Sequence, residues 1–503
     1  MTLTAGNDTG VDFTGTSVGD TFNAGLSAAG LQTLTGSDVL NGAGGTDTIT
    51  ATISANVTPN MTAIETVNIS ATATATLDLL ASTGVVTISN SGSTAALTVS
   101  NIGSSVTGIT LANTTFGGTF NFLASTVSGD TDAKTFTVSN IGAGDLVVDS
   151  AVESVTINSA GTANTLTNFT NTNADTINFT GASALTITNA LTGAEVINGS
   201  TATGALTFTN NNAAAAVITT GSGADAVTLG AAVGAVIDTV SLGAGNDTLT
   251  YLGAGDLIDT DVLDGEDGTD TLAGLSADII ALTTTTAAVT NISNFETVRV
   301  TDNLGGAITL ASVQAGIDTL RLDGSVGGTV TFEAGASALD LRALVGAAVT
   351  VVDTGSATTD SLTITNNSAV DIFAGNNLII NGMETVTYAG SGTATASQDF
   401  GTITMTADTG GTSTLNLTGS NIVTAGAITA TVINASGLTG LTGLDMTANA
   451  VGTTTITGSG GIDDLRGQAA AATTINAGAG NDLVVGGSNN DVLNGEAGND
   501  TIT

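Results

Sequence analysis

Aspartate recurs at nine-residue intervals inside glycine-rich stretches of this chain. Asp482, Asp491 and Asp500 lie near the C-terminus, and Asp238, Asp247 and Asp256 lie in the middle. Asp261 and Asp270 show the same spacing in "DVLDGEDGTDTL", which also holds Asp264 and Asp267. Asp38 and Asp47 repeat it in "GSDVLNGAGGTDTIT". Further frames centre on Asp225 in "GSGADAVTL" and on Asp463 and Asp464 in "GSGGIDDL"; Asp8 and Asp20 head degenerate relatives. An apolar residue follows the framing aspartate by two positions, as at Leu40, Ile49, Val227, Leu249, Leu465, Val484, Leu493 and Ile502. This is the template G-G-x-G-x-D-x-U-x, in which the glycine-rich part turns and U points into a coil.

Two such units close one coil, and coils stack at the ordinary strand spacing of about 4.8 Å. Glycine supplies positive φ and lets backbones approach closely in the turns. Stacked turns then gather carboxylates and carbonyl oxygens into columns. A hard cation that takes 6–8 oxygens at roughly 2.3–2.6 Å, which means Ca²⁺, suits such a column. Without the ion, the carboxylates repel one another. The plainer reading is that each aspartate only hydrogen-bonds its own turn. That reading weighs most for Asp8, Asp20 and Asp225, which stand alone, and least for Asp247–Asp270 and Asp482–Asp500.

A second motif punctuates the chain between these clusters. "AIETVNIS" at Glu65, "AVESVTIN" at Glu153, "NFETVRVT" at Glu296 and "GMETVTYA" at Glu384 share one form, and "GAEVINGS" at Glu195 is a shortened version. Glu65 and Glu153 are 88 residues apart, as are Glu296 and Glu384, and the pairs are offset by 231. That arrangement reads as an internal duplication. Paired carboxylates can serve acid–base chemistry. Each glutamate here stands where a strand begins, so a structural role in the turn or facing solvent is expected.

Composition excludes several function classes. The 503 residues carry 44 acids against 5 bases, a net charge of -39, yet only 10% are charged and 41% are hydrophobic. Nucleic-acid binding needs clustered Lys and Arg to neutralise phosphates, and none is present. There is no Cys, so there are no disulfides, and no His. The N-terminus "MTLTAGNDTGVDF" lacks the basic and apolar regions of a secretory signal. No run of about 18 apolar residues is present to span a membrane. With no Trp, 2 Tyr and 13 Phe, any core is thin and repeated.

Period-two alternation in "ETVNISATATATLDLL" and "AALTVSNIGSSVTGITL" predicts short strands buried on one face. Helix signals are confined to "NNNAAAAV" and "RGQAAAATTI", room for a turn or two. The expected fold is all-β, an elongated parallel β-helix or β-roll solenoid with interspersed calcium-binding blocks. Rungs near 20 residues would give about 25 rungs and a rod on the order of 100 Å by the strand spacing.

The alternation of "GAGNDTL"-type blocks with Thr/Ala/Val-rich segments carrying "FETVRV" or "IETVNI" resembles the lattice-forming region of RTX-type bacterial surface-layer proteins. On that resemblance, residues 1–50 form an N-terminal RTX-like block and 51–218 a β-solenoid. Residues 219–275 form a central RTX block, 276–457 a second solenoid and 458–503 a C-terminal RTX block. The resemblance implies type I export, folding outside the cell in calcium and self-assembly into a two-dimensional lattice through calcium. Family members also carry a lipopolysaccharide-binding anchor and a C-terminal export signal. Neither is read here, so the chain is expected to be a segment of a longer protein. A large RTX adhesin is the rival reading, although tandem repeats near 100 residues are not found. A polysaccharide lyase or epimerase would draw on His, Lys, Arg or Tyr. No His is present, and Arg299, Arg321, Arg342 and Arg466 form no local set in the sequence. A Thr-rich ice-binding face needs T-x-T ranks more regular than "TATATAT". No enzyme activity is expected.

Overall fold

The computed structural model describes residues 1–171, 173–230, 236–284, 288–333, 335–366, 370–390 and 397–503. Its two compact units are Met1–Gly253 with Val262–Gly268, and Ala254–Asp261 with Thr269–Thr503. Both are built from short parallel strands, and helix accounts for 4% of the chain. The fold is a parallel β-solenoid of about 20 turns in all.

In the first unit, each turn sends one strand to each of two parallel columns. One column holds Thr48–Ile53, Thr66–Ala71 and Thr87–Ser91, and the other holds Ala75–Asp78, Leu97–Ile102 and Gly118–Phe122. Alternation decides which side chains enter the core. Val67, Ile69 and Ala71 are buried, and Thr66, Asn68 and Ser70 between them stay partly exposed. Register stacks like upon like, Ile49 on Val67 on Ile88 on Ile109. Each such apolar side chain contributes about 1.5–3 kcal/mol when fully buried.

The second unit adds a third column. Thr271–Gly274, Thr297–Val300 and Thr319–Leu322 begin one, and Thr329–Phe332, Val349–Asp353 and Leu378–Asn381 belong to another. Thr442–Met446, Ile462–Arg466 and Leu483–Val485 belong to the third. Three of its aromatic side chains meet in one cluster: Phe373 and Phe400 have ring centroids 4.1 Å apart, and Tyr388 packs edge-on to Phe400 at 5.3 Å.

Rung length departs from expectation. Thr474 pairs with Val492, 18 residues on, but Thr21 pairs with Thr48, 27 on, and Thr385 with Thr414, 29 on. Two nonapeptides make the shortest rung; loops at the corners lengthen the others. That is why the turns number about 20 and not 25.

The helix expectations are corrected as well. "NNNAAAAV" and "RGQAAAATTI" form no helix, while Ser276–Leu282 and Ala288–Asn291 do. In the first of these, Ile279 and Leu282 lie three apart and are both buried, so tertiary burial outweighs alanine propensity.

Candidate metal sites

The nonapeptide geometry is clearest at the C-terminal end. Asp463, Asp482 and Asp500 each immediately precede or open a strand of the same column, 19 and 18 residues apart. The Asp463 amide donates to Asp482 Oδ1 at 2.9 Å, and the Asp482 amide to Asp500 Oδ1 at 3.1 Å. Asp491 stands in a different column, where its Oδ1 accepts from the Thr473 amide at 2.8 Å. Nine residues are thus half a turn, and every second aspartate stacks.

The glycines are required twice over. Gly480 and Gly498, each two residues before an aspartate, have φ of +149° and +144°. A Cβ at Gly480 would lie 2.3 Å from the Gly461 carbonyl oxygen. Ala43, Glu266 and Glu496, each four residues before an aspartate, share a left-handed φ of 66°, 62° and 65°. One turn shape therefore recurs at all three blocks.

The other predicted residues fall into place around this pattern. At the N-terminal end the Asp8 amide donates to Asp38 Oδ1 at 3.0 Å, and the Asp20 amide to Asp47 Oδ1 at 2.7 Å. The isolated frame at Asp225 proves to lie one rung below Asp247, whose Oδ1 accepts from the Asp225 amide at 2.6 Å. Asp238 stands before the strand Thr239–Ser241 and accepts from the Ala216 amide at 2.9 Å. Asp261 accepts from the Ile258 amide at 3.0 Å within its own loop. Asp256 is buried, and its charge adds to the burial that pushes the Asp278 carboxyl upward. Asp264 accepts from the Glu266 amide at 2.9 Å, the place taken by Asn41 in the N-terminal block. Asp267 is exposed, in a short strand beside Ala244–Gly245. Asp464 points away from the corner and pairs with Arg466 at 2.7 Å.

The glutamates of the second motif occupy the same column position as the aspartates. Glu65 Oε2 accepts from the Asp47 amide at 2.7 Å, Glu153 Oε2 from Asp132 at 2.8 Å, Glu296 Oε2 from Asp270 at 2.7 Å and Glu384 Oε2 from Asp360 at 3.0 Å. Their role is structural, as expected. Each of these four carboxylates ties its rung to the rung before; Glu384 is buried, Glu65, Glu153 and Glu296 keep partial exposure, and Glu195 is exposed. Asp132 and Asp360 were invisible in the sequence because no glycine-rich frame surrounds them.

Of the apolar U positions, Leu40, Ile49, Val227, Leu249, Leu465 and Val484 are fully buried. Leu493 is only partly buried, and Ile502 is 48% exposed.

Carboxylates so arranged are held at a cost. Burial pushes the Asp225, Asp463 and Asp482 carboxyls above the usual range, and the charges of Asp463 and Asp500 add to the effect at Asp482. Backbone hydrogen bonds from Leu206 and Leu444 oppose it at Asp225 and Asp463. Asp47 Oδ2 and Asp482 Oδ2 are buried with no hydrogen-bond partner. Buried oxygens in need of a positive partner are what a calcium ion would satisfy.

The arginines require a correction. Arg299 and Arg321 are partners on adjacent strands and grip opposite oxygens of Asp323 at 2.6 and 2.7 Å, while Arg342 pairs with Asp340 at 2.7 Å. The 22 residues from Arg299 to Arg321 are one rung, and Arg321 in turn pairs in register with Asp340, the partner of Arg342, so the rungs bring together what looked scattered. Burial would raise the Asp323 carboxyl, but the hydrogen bonds and charges of Arg321 and Arg299 together hold it below the usual range.

Residues 31–55, 234–258 and 470–502 match the family model of the RTX calcium-binding nonapeptide repeat (4 copies). No curated protein matches the chain. The matched stretches fall on the N-terminal, central and C-terminal clusters, and such repeats are calcium-binding motifs of secreted repeat proteins. Among the described residues, no helix is long and apolar enough to cross a membrane.

Proposed function

We propose that this chain is the lattice-forming part of a bacterial surface-layer protein. It leaves the cell unfolded by a type I route, folds on extracellular calcium and assembles with copies of itself into a two-dimensional sheet. Carboxylates that cannot be gathered at low calcium keep the chain extended and exportable. Outside, ions at roughly 0.1–1 mM, the range of extracellular modules, neutralise them and drive the coil to form. Asp47, Asp247, Asp463, Asp482, Asp491 and Asp500 would hold the ion in the nonapeptide turns. An anchoring region outside these residues would attach the sheet to lipopolysaccharide.

The observation that carries the reading is how the few basic groups are spent. Arg299, Arg321, Arg342 and Arg466 are all engaged in ion pairs within the chain, and Lys134 lies over the Phe122 ring at 5.0 Å. Against a net charge of -39, copies can meet side by side only with divalent cations between them. Electron microscopy of the purified chain with calcium and with EGTA tests this. Ordered sheets that appear with calcium and dissolve in EGTA are expected. Monomers in both conditions that adhere to a foreign surface would instead mark an adhesin.

A further inference from the structure

A further gathering of carboxylates lies outside the nonapeptide stretches. Asp353 ends the strand Val349–Asp353, Asp360 immediately precedes Ser361–Asn366, and Asp408 follows Ile403–Thr406 by two residues. Parallel register sets Val351 beside Ile380 and Ile380 beside Met405, so Asp353 and Asp408 approach one corner from rungs two apart. Each of the three residues offers a carboxylate oxygen, and these lie within 4.8 Å of one another.

The intervening rung makes room for this. Its corner residue is Gly382, at φ +86°, and a Cβ there would meet Asp353 Cβ at 3.1 Å and Asp408 Oδ1 at 3.6 Å. Two rungs are separated by about 9.6 Å of backbone, and the missing side chain lets the carboxylates close that distance.

One side of the cluster is fastened and the other is open. Asp353 Oδ2 accepts from the Gly355 amide at 2.8 Å, and Asp360 Oδ1 from the Gly335 amide at 2.6 Å. Glu384, 4% exposed, accepts from the amides of both Asp360 and Asp408, at 3.0 and 2.9 Å, and so fixes the two loops together. The remaining oxygens, Asp353 Oδ1, Asp360 Oδ2 and Asp408 Oδ2, are buried and have no hydrogen-bond partner. Asp353 is 7% exposed and Asp360 1%. Burial first, then the charges of Asp360 and Asp408, pushes the Asp353 carboxyl upward. Among the described residues no basic group pairs with them: the four arginines bond to Asp323, Asp340 and Asp464, and Lys134 lies over the Phe122 ring.

We infer that Asp353, Asp360 and Asp408 form a further calcium site, distinct from the nonapeptide turns, that clamps three successive rungs of the second unit. The donors are hard oxygens in an irregular set drawn from two loops. That suits calcium, with its flexible coordination, better than magnesium, which demands a near-ideal octahedron. The assignment does not depend on lattice assembly.

Equilibrium dialysis of the full chain against calcium, with bound metal counted by atomic emission, tests it. Asp408→Asn is expected to bind one ion fewer per chain than the unchanged protein. Thermal unfolding separates a ligand from a merely structural acid. In EGTA the variant should melt at the same or a higher temperature, because one repelling charge is gone, while the rise in Tm on adding calcium shrinks. An unchanged ion count, or an equal loss of stability with and without calcium, overturns the assignment. Should the variant fail to fold, crystals of the unchanged chain grown with terbium decide the matter. An anomalous peak within about 2.6 Å of oxygens from all three residues is expected, and its absence overturns the site.

Discussion

Two regions of the second unit handle acidic charge in opposite ways. At the corner of Asp463, Asp482 and Asp500, successive rungs place acid above acid, and the chain offers no cation. On the outer face from Arg299 to Arg342, the same stacking places Arg299 beside Arg321 and Arg321 beside Asp340, with Asp323 gripped from both sides. The scaffold and the spacing are alike. The difference is where the positive charge comes from. The ladder carries its own countercharge; the corner does not, and under the proposed function calcium would supply it. A solenoid converts any per-rung sequence choice into a column, and the sign of that column decides whether folding is autonomous or conditional.

Replacing Asp482, Asp491 and Asp500 together with Asn should break the corner most severely. The calcium midpoint of folding, followed by circular dichroism, is expected to rise by about tenfold or more as ligand charge is lost. An unmoved midpoint would remove these residues from the metal sites. Gly480→Ala attacks the turn itself. With the Gly461 carbonyl in the way and a backbone conformation that side chains rarely adopt, it should cost about 1–3 kcal/mol in urea unfolding. Because it also spoils the ligand geometry, the loss should be larger in calcium than in EGTA.

Glu296→Ala sharpens the comparison, since this acid occupies the column position without belonging to a nonapeptide. Leaving the Asp270 amide without its acceptor should cost about 1–2 kcal/mol. Glu296→Gln, which keeps an acceptor oxygen, should recover most of that. Equal behaviour of the two variants would show that the hydrogen bond is not what matters.

The pH responses of the two regions should have opposite sign. For Asp463 and Asp482 the folded carboxyl lies above its unfolded value of about 3.9, so the folded state holds the proton more tightly. Their contribution is then full at low pH and is lost as pH rises through the elevated values. In EGTA, Tm is expected to fall as pH increases from about 4 toward 7, and saturating calcium should flatten that slope. Asp323 lies below its unfolded value, so its contribution is present above about pH 3.9 and is lost as pH falls through its folded value. Asp323→Asn should therefore cost little, under about 1 kcal/mol for a pair open to solvent, and by the same amount with or without calcium. A calcium-dependent cost would mean that the ladder is coupled to the metal sites.

The local code was legible in the sequence, because a strand and a turn are written in neighbouring residues. Alternation in "ETVNIS" gave the buried Val67 and Ile69, and the nine-residue frame gave the half-turn that separates Asp482 from Asp491. Glycine at Gly480 could be read as a turn requirement from the frame alone. What stacks on what could not be read, because rungs of 18 to 29 residues share no fixed period. That is why Arg299, Arg321 and Arg342 looked scattered, why Asp225 looked isolated from Asp247, and why Asp353 and Asp408 gave no sign of meeting. The amino-acid order determined the repeating unit and the hunger of its turns for a cation. The columns were decided only in three dimensions, where loop length, not residue type, sets which carboxylate lies above which.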